Sequence, residues 1–198
     1  MAIVARVRRK GAQVARDAGL LPAREHILRL APKRAVCAEL GVFRGAFSRR
    51  IVRAAQPAEL HLIDCWWTVY GDRYPDWGAY TDYGQLSTRQ AYDDARASAP
   101  EATVHVGDDL AVLAGFPDQY FDWIYLDTSH EYDQTVRELE ILARKLKSDG
   151  LLLGDDWHDD PTHMHAGVTQ AVEEACGRNE WHLIVPGDRF MQWAARRA

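Results

Sequence analysis

Residues 35–48, "AVCAELGVFRGAFS", contain the pattern from which the fold is predicted. It opens with the apolar run Ala35–Leu40 and passes through Gly41 and Gly45 into a helical pattern. A short apolar run that is closed by glycine predicts a buried strand. Gly41 permits a tight turn, and Gly45 lets the following helix pack close to a ligand or a strand. The stretch therefore predicts a strand, a loop and a helix in succession.

The same alternation of strands and helices continues along the chain. Strands that are apolar on both faces are typical of a parallel sheet covered by helices. The last two predicted strands are separated only by a short turn around Gly187, so they form an antiparallel hairpin. We predict one α/β domain with a doubly wound, mostly parallel sheet, strand order 3-2-1-4-5-7-6, and helices on both faces. The predicted strands after the first are 60–64, 102–107, 121–127, 151–154, 181–186 and 189–195, and the predicted helices between strands are 45–55, 87–99, 134–150 and 166–179.

Composition restricts the function classes. A chain of 198 residues with 47% hydrophobic content fits one globular domain, and a net charge of −5 gives no electrostatic argument for nucleic acid. No apolar run approaches the roughly 18 residues that span a bilayer. The three scattered cysteines suit a reducing compartment, so we expect a cytoplasmic protein that does not bind membranes.

The chain is expected to divide at residue 33. Residues 1–33 are predicted to form two N-terminal helices that act as a lid or as a contact between two subunits of a homodimer. Residues 34–198 are predicted to form the cofactor-binding domain.

Residues at the ends of the first two strands suggest a nucleoside-bearing cofactor. In an open α/β sheet the ligand lies beyond the carboxyl ends of the strands. Glu39, Gly41 and Gly45 form an E-x-G-x-x-x-G pattern there, and Asp64 follows about 20 residues later, where an acid accepts hydrogen bonds from ribose hydroxyls. Phe43 stands where a dinucleotide-binding loop needs its second glycine, which disfavours a nicotinamide dehydrogenase.

Acidic residues follow the fourth and fifth strands. Asp127 ends "FDWIYLD", and Asp155 and Asp156 end "GLLLGDD". Because strands four and five are neighbours in the predicted order, these three carboxylates should lie side by side and repel one another unless a cation neutralises them. A hard divalent ion bound by oxygen fits best, Mg²⁺ first, with Mn²⁺ or Ca²⁺ as alternatives.

Histidines near these acids are candidates for the catalytic base. His130 follows strand four, and His158 competes with it because it lies next to the acidic pair. An imidazole with a pKa of ~6.5 accepts a proton around neutral pH. A zinc or iron site built from His158, His163 and His165 is a further alternative, although no thiolate or H-E-x-x-H pattern accompanies these residues.

The glycine pattern resembles motif I of class I S-adenosylmethionine (SAM)-dependent methyltransferases, which have a Rossmann-like sheet. The resemblance implies that Glu39, Gly41 and Asp64 hold the amino acid and ribose portions of SAM, with Gly45 completing the loop. It also implies that Asp108, in "VGDD", lies near the adenine, although Asp109 could equally be a helix N-cap.

The later motifs, D-x-x-H-x-Y and G-x-L-x-x-D-D, resemble the metal-dependent O-methyltransferases of the macrolide-sugar and cephalosporin hydroxylase-like group. This resemblance covers roughly residues 35–195. It implies that Asp127, Asp155 and Asp156 bind the metal and that His130 is the general base.

Residues 65–86 form a long segment rich in tryptophan and tyrosine. We expect a substrate loop, since aromatic faces stack on sugar or aromatic rings; an aromatic-rich loop packed on the core is the alternative.

Together these features predict a Mg²⁺-dependent O-methyltransferase acting on a hydroxyl of a small molecule such as a sugar, a phenol or a natural product. The rival hypothesis is a protein with the same fold that transfers no methyl group, either a metal-dependent hydroxylase-like relative or a non-catalytic cofactor-binding subunit.

Overall fold

The computed structural model describes residues 24–198, and a seven-stranded sheet forms the centre of this part of the chain. Its strand order is 3-2-1-4-5-7-6, as predicted. The first five strands pair in parallel, and the seventh runs antiparallel to both the fifth and the sixth. The strands are β1 Val36–Leu40, β2 Glu59–Asp64, β3 Thr103–Val106, β4 Phe121–Leu126, β5 Leu146–Gly154, β6 Trp181–Val185 and β7 Trp193–Arg197.

Helices cover both faces of the sheet. Successive strand residues alternate between two cores: Cys37 of β1 packs on one face and Ala38 on the other. The first core is covered by the helices at 48–55 and 88–98, and the second by the helices at 109–114, 132–145 and 166–177. Within residues 24–198, no helix has the length and apolar character needed to cross a membrane. The helices are α1 Ser48–Ala55, α2 Trp67–Tyr70, α3 Thr88–Ser98, α4 Asp109–Ala114, α5 Tyr132–Lys145 and α6 Ala166–Gly177, with 3-10 helices at Arg24–Arg29 and Gly78–Thr81.

The register of the central strands brings three chain segments to one edge of the sheet. Leu126 of β4 pairs with Leu40 of β1 on one side and with Gly154 of β5 on the other. The backbone N–H of Asp127 donates to the carbonyl of Leu40 at 2.9 Å, and that of Asp155 donates to the carbonyl of Leu126 at 3.1 Å. The two aspartates therefore lie beside each other where their strands end.

The predicted helix 134–150 is too long. Helix α5 ends at Lys145, and residues 146–150 already belong to β5. The ammonium of Lys145 donates to the carbonyl of Phe116 at 2.7 Å and to Asp118 at 2.8 Å, and the carbonyl of Lys145 accepts from the N–H of Tyr120 at 2.9 Å. These contacts stabilise the end of the helix at Lys145, so β5 begins before the amphipathic pattern in the sequence ends.

The last strand begins later than the predicted residue 189. Asp188 accepts hydrogen bonds from the backbone N–H groups of Phe190 at 2.7 Å and Gln192 at 3.1 Å, which folds this part of the chain into a turn before β7. The second predicted N-terminal helix is seen as the 3-10 helix Arg24–Arg29. The first falls outside the described residues.

Candidate active site

The loop after β1 is tightly packed against its neighbours. Gly41 has φ +81°, and a side chain there would overlap with the carbonyl oxygen of Asp127. Gly45 has φ +72°, and a side chain there would collide with Ala95 and Ser98 of α3. Both positions thus require glycine for packing, in a backbone region that other residues rarely adopt. Their contacts with a cofactor stay predictions.

Asp64 holds the same loop through its carboxylate. Its Oδ2 accepts hydrogen bonds from the N–H groups of Val42 at 2.8 Å and Phe43 at 2.6 Å, and Oδ1 accepts a longer one, 3.2 Å, from Trp66. Oδ1 is therefore the less engaged oxygen. The predicted contact of Asp64 with ribose hydroxyls is not tested by these bonds, and it would use Oδ1.

Glu39 lies in the interior, with 1% of its surface exposed. The hydroxyl of Ser48, the first residue of α1, donates to its Oε2 at 2.5 Å. Burial raises the pKa of Glu39 to about 8, although the hydrogen bond from Ser48 opposes this rise. Glu39 therefore fastens the end of β1 to the start of α1, and its contact with a cofactor remains a prediction.

Asp108 caps helix α4. Its side chain accepts from the N–H of Ala111 at 2.9 Å, so the N-cap is Asp108 and not Asp109. Asp109 instead accepts from the N–H of Leu110 at 2.9 Å and the amide of Gln134 at 3.1 Å. The predicted position of Asp108 near an adenine is not tested by this geometry.

Asp127, Asp155 and Asp156 form an acid cluster at the ends of β4 and β5. Each offers a carboxylate oxygen, and these oxygens lie within 4.8 Å of one another. Asp155 is buried, and Asp156 has φ +60°, an uncommon backbone conformation that often marks functional sites. The predicted meeting of the three carboxylates is thus present in the structure.

Arg24 is a cation in this cluster that the sequence did not reveal. Its Nη2 lies 2.7 Å from Oδ2 of Asp127 and also contacts Oδ2 of Asp155. The guanidinium lies over the ring of Phe47, 5.4 Å from its centroid. Burial alone would lower the pKa of Arg24, but Tyr125 and Asp127 raise it above its usual value. Arg24 is therefore a permanent positive charge at the place predicted for a metal ion.

His130 is the second positive group at the cluster. Its Nε2 lies 3.1 Å from Oδ1 of Asp127 and 3.0 Å from Oδ2 of Asp156. Burial opposes the charged ring, yet the hydrogen bonds with these two carboxylates raise the pKa of His130 to about 9. Burial likewise opposes ionisation of Asp156, but His130 and His165 hold its pKa well below the usual range. In this arrangement His130 is an imidazolium at neutral pH.

Three more histidines lie on the other side of Asp156. Nε2 of His158 is 3.4 Å and Nδ1 of His165 is 3.2 Å from Oδ1 of Asp156. The rings of His158 and His163 are stacked with centroids 3.5 Å apart. Asp156 therefore has one oxygen facing His130 and the other facing these imidazoles.

A cavity of about 430 Å³ opens beside the acid cluster. His130 belongs to its wall, and His158 is not among the described residues that form it, so geometry favours His130 as the candidate base. The turn before β7 also contributes to the wall, which the sequence did not predict. The lining residues are Arg24, Tyr80, Asp127, His130, Asp155, Asp156, His165, Arg189, Phe190 and Met191.

The aromatic segment 65–86 is divided between the core and the cavity. Trp66 and Tyr74 are buried, as expected of an aromatic loop packed on the core, whereas Tyr80 and Tyr83 are exposed. Tyr80 stacks on Phe43 of the glycine loop, with centroids 4.5 Å apart and ring planes within 10°, and it lines the cavity. The segment thus joins the glycine loop to the acid cluster.

Comparison with known proteins identifies the family. The family model described as a methyltransferase domain matches residues 38–157, which include most of β1, the glycine loop, β2 to β5 and the three aspartates of the acid cluster. The chain belongs to this methyltransferase family. Its fold and its domain are those of a SAM-dependent methyltransferase. The comparison gives no support to a nicotinamide dehydrogenase. A comparison with curated protein sequences finds no match.

Solved structures confirm the fold of the methyltransferase. A protein from Corynebacterium glutamicum has a TM-score of 0.61 at 15% identity, covering 100% of this chain and 90% of that one. A candidate caffeoyl-CoA O-methyltransferase from Staphylococcus aureus has 0.61 at 13%, covering 98% and 91%. Cofactor-bound Rv0187 from MTB has 0.59 at 16%, covering 95% and 88%. Identities this low show a shared fold and leave the substrate open.

Proposed function

We propose that this methyltransferase transfers the methyl group of SAM to a hydroxyl of a small molecule, with a divalent cation held by the acid cluster. The observation that carries the proposal is the direct contact between the two halves of the site. Gly41 of the glycine loop packs on the backbone of Asp127, and Tyr80 lies on Phe43 while lining the acid-walled cavity. A methyl donor in the loop and an acceptor in the cavity would therefore be neighbours.

The donor set of the acid cluster fits a hard divalent cation. Three carboxylates with oxygens within 4.8 Å of one another supply the ligand type that Mg²⁺ and Mn²⁺ prefer. When bound, the ion would make an acceptor hydroxyl more acidic and orient it. Arg24 already neutralises Asp127 and Asp155, so an ion and the guanidinium would compete for the same oxygens.

His130 is the residue placed to take the hydroxyl proton. Its Nε2 lies about 3 Å from carboxylate oxygens of Asp127 and Asp156 at the cavity wall, within reach of a hydroxyl bound there. When bound, SAM would supply the methyl group for the hydroxyl oxygen, and His130 would accept the proton that the hydroxyl releases. Neutralising the carboxylates would favour the neutral ring that this role requires.

The function is tested with S-adenosylhomocysteine, labelled SAM and a panel of hydroxylated small molecules. Calorimetry should detect binding of S-adenosylhomocysteine by the full chain. Mass spectrometry should then find a methylated sugar, phenol or related product with Mg²⁺, none after EDTA treatment, and recovery when Mg²⁺ is restored. Equal product yield in EDTA would contradict the metal-assisted reaction, and a product methylated on nitrogen or carbon would contradict the proposed acceptor.

Replacing Arg24 with glutamine should strengthen binding of Mg²⁺ by about tenfold or more, since ~1.4 kcal/mol corresponds to a factor of ten. Glutamine removes the positive charge that occupies the oxygens of Asp127 and Asp155. Arg29→Gln is a matched control, because Arg29 is exposed on the same 3-10 helix. Calorimetric titration with Mg²⁺ measures the change, and weaker binding in Arg24→Gln would mean that the guanidinium positions the carboxylates and does not compete.

A further inference from the structure

We propose that His158, His163 and His165 form a second metal site, one for a transition-metal ion such as Zn²⁺. Each of these histidines offers a ring nitrogen, and the three nitrogens lie within 4.8 Å of one another. The site differs from the proposed Mg²⁺ site in its three histidine ligands and in the ion it selects, borders that site at Asp156, and does not depend on methyl transfer. Imidazole nitrogen suits zinc, copper, nickel and iron, whereas Mg²⁺ prefers oxygen.

The distances around Asp156 match those between ligands of a tetrahedral zinc ion. With Zn–N and Zn–O bonds of roughly 2.0–2.1 Å, tetrahedral geometry separates neighbouring ligand atoms by about 3.3 Å. Oδ1 of Asp156 lies 3.4 Å from Nε2 of His158 and 3.2 Å from Nδ1 of His165. The carboxylate oxygen is therefore placed to complete an imidazole-rich set as its fourth ligand.

A second observation supports the site. Nδ1 of His165 is buried, and among residues 24–198 it finds no partner with good hydrogen-bond geometry, although Asp156 lies close to it. A buried polar atom without such a bond is energetically costly, and a bound ion is one recognised explanation for it. A metal ion would satisfy this nitrogen directly.

His163 must adjust to join the site. Its Nδ1 accepts a hydrogen bond from the backbone N–H of His165 at 3.1 Å, so coordination through either ring nitrogen would replace that bond. Because the ring of His163 is exposed, it has room to turn. It already stacks on the ring of His158. The other two ligands are more firmly placed, because the backbone of His158 is held by Thr169 at 2.8 Å and His165 stands at the start of α6.

The proposed ion would close the connection between β5 and α6. His158 lies near the beginning of this connection, and His163 and His165 lie at its end. An ion bound by all three would tie the two ends together beside Asp156. Since His165 lines the cavity, the ion would fix that part of the cavity wall.

The test is calorimetric titration of EDTA-treated, desalted protein with Zn²⁺, using Co²⁺ absorption to report tetrahedral geometry. The wild type should bind one equivalent in this site. Because replacing even indirect partners of a metal site costs 10–100-fold in affinity, His158→Ala and His163→Ala should each weaken binding by at least about tenfold. His182→Ala is the control, since His182 is an exposed histidine on β6.

Two further outcomes separate this site from the acid cluster. The Asp127→Asn/Asp155→Asn double variant should bind Zn²⁺ with wild-type affinity and should lose Mg²⁺ binding at the acid cluster. If the wild type binds no Mg²⁺, the proposed function loses its metal, and the Zn²⁺ titration still tests the histidine site. Unchanged Zn²⁺ affinity in both histidine variants would overturn the proposal, as would loss of Zn²⁺ binding in the aspartate variant alone. Circular dichroism of the metal-free variants checks that they are folded. Because the ring of His163 is exposed, His163→Ala should stay folded and still tests the site if His158→Ala unfolds.

Discussion

Replacing Asp155 with asparagine is expected to weaken Mn²⁺ binding at the acid cluster by about 100-fold or more, since loss of an indirect partner already costs 10–100-fold. The substitution keeps the shape of the side chain and removes one negative charge from a buried position that directly follows β5, beside the end of β4. Arg24 would keep its 2.7 Å contact with Asp127, so it would still compete with the ion for the remaining oxygen. The loss of one ligand oxygen and the continued competition from Arg24 both weaken binding of the ion.

Electron paramagnetic resonance of free Mn²⁺ measures this affinity without knowledge of the acceptor. Asp149→Asn is the matched control, because Asp149 is an exposed aspartate on the same strand and lies far from the strand end. Methyl transfer to any identified acceptor should fall together with Mn²⁺ binding. An Asp155→Asn variant that binds Mn²⁺ as tightly as the wild type would show that the acid cluster is neutralised by Arg24 and His130 and holds no ion.

The sheet could be predicted from the sequence because its strands carry strong local signals. The apolar runs that end in Gly41, Asp64 and Asp127 fix the positions of β1, β2 and β4, and the parallel order follows from the alternation with helices. The end of α5 and the start of β7 could not be predicted. Both depend on contacts of Lys145 and Asp188 with other parts of the chain, which override local propensity.

The acid cluster was predictable for the same reason, since adjacent parallel strands deliver Asp127 and Asp155 to one edge. Arg24 was not, because it comes from a 3-10 helix outside the repeating pattern and no sequence spacing links it to β4 or β5. The double role of Asp156, which faces His130 with one oxygen and His165 with the other, depends on its φ of +60°. Such an angle is uncommon outside glycine, and the sequence alone does not show which of its aspartates adopts it.

Asp64→Ala is expected to reduce the affinity for S-adenosylhomocysteine by about 100-fold, as ~2.7 kcal/mol would, and to lower the melting temperature. Two effects add up in this variant. The N–H groups of Val42 and Phe43 lose the oxygen that holds the glycine loop, and the proposed cofactor loses an acceptor for its ribose hydroxyls. A hydrogen bond to a charged group contributes about 1.5–3 kcal/mol, and the loop loses two of them.

Asp64→Asn separates support of the loop from binding of the cofactor. The amide oxygen of asparagine can still accept from Val42 and Phe43, whereas its NH₂ group would stand where Oδ1 of Asp64 now accepts the longer bond from Trp66, so the melting temperature should fall less than in Asp64→Ala. Affinity for S-adenosylhomocysteine should then fall by about tenfold, because one charged acceptor is lost. Asp93→Ala, at an exposed position of α3, serves as the control for both variants. Calorimetry that finds wild-type affinity in Asp64→Asn and a loss only in Asp64→Ala would assign Asp64 to loop support alone and remove it from the cofactor site.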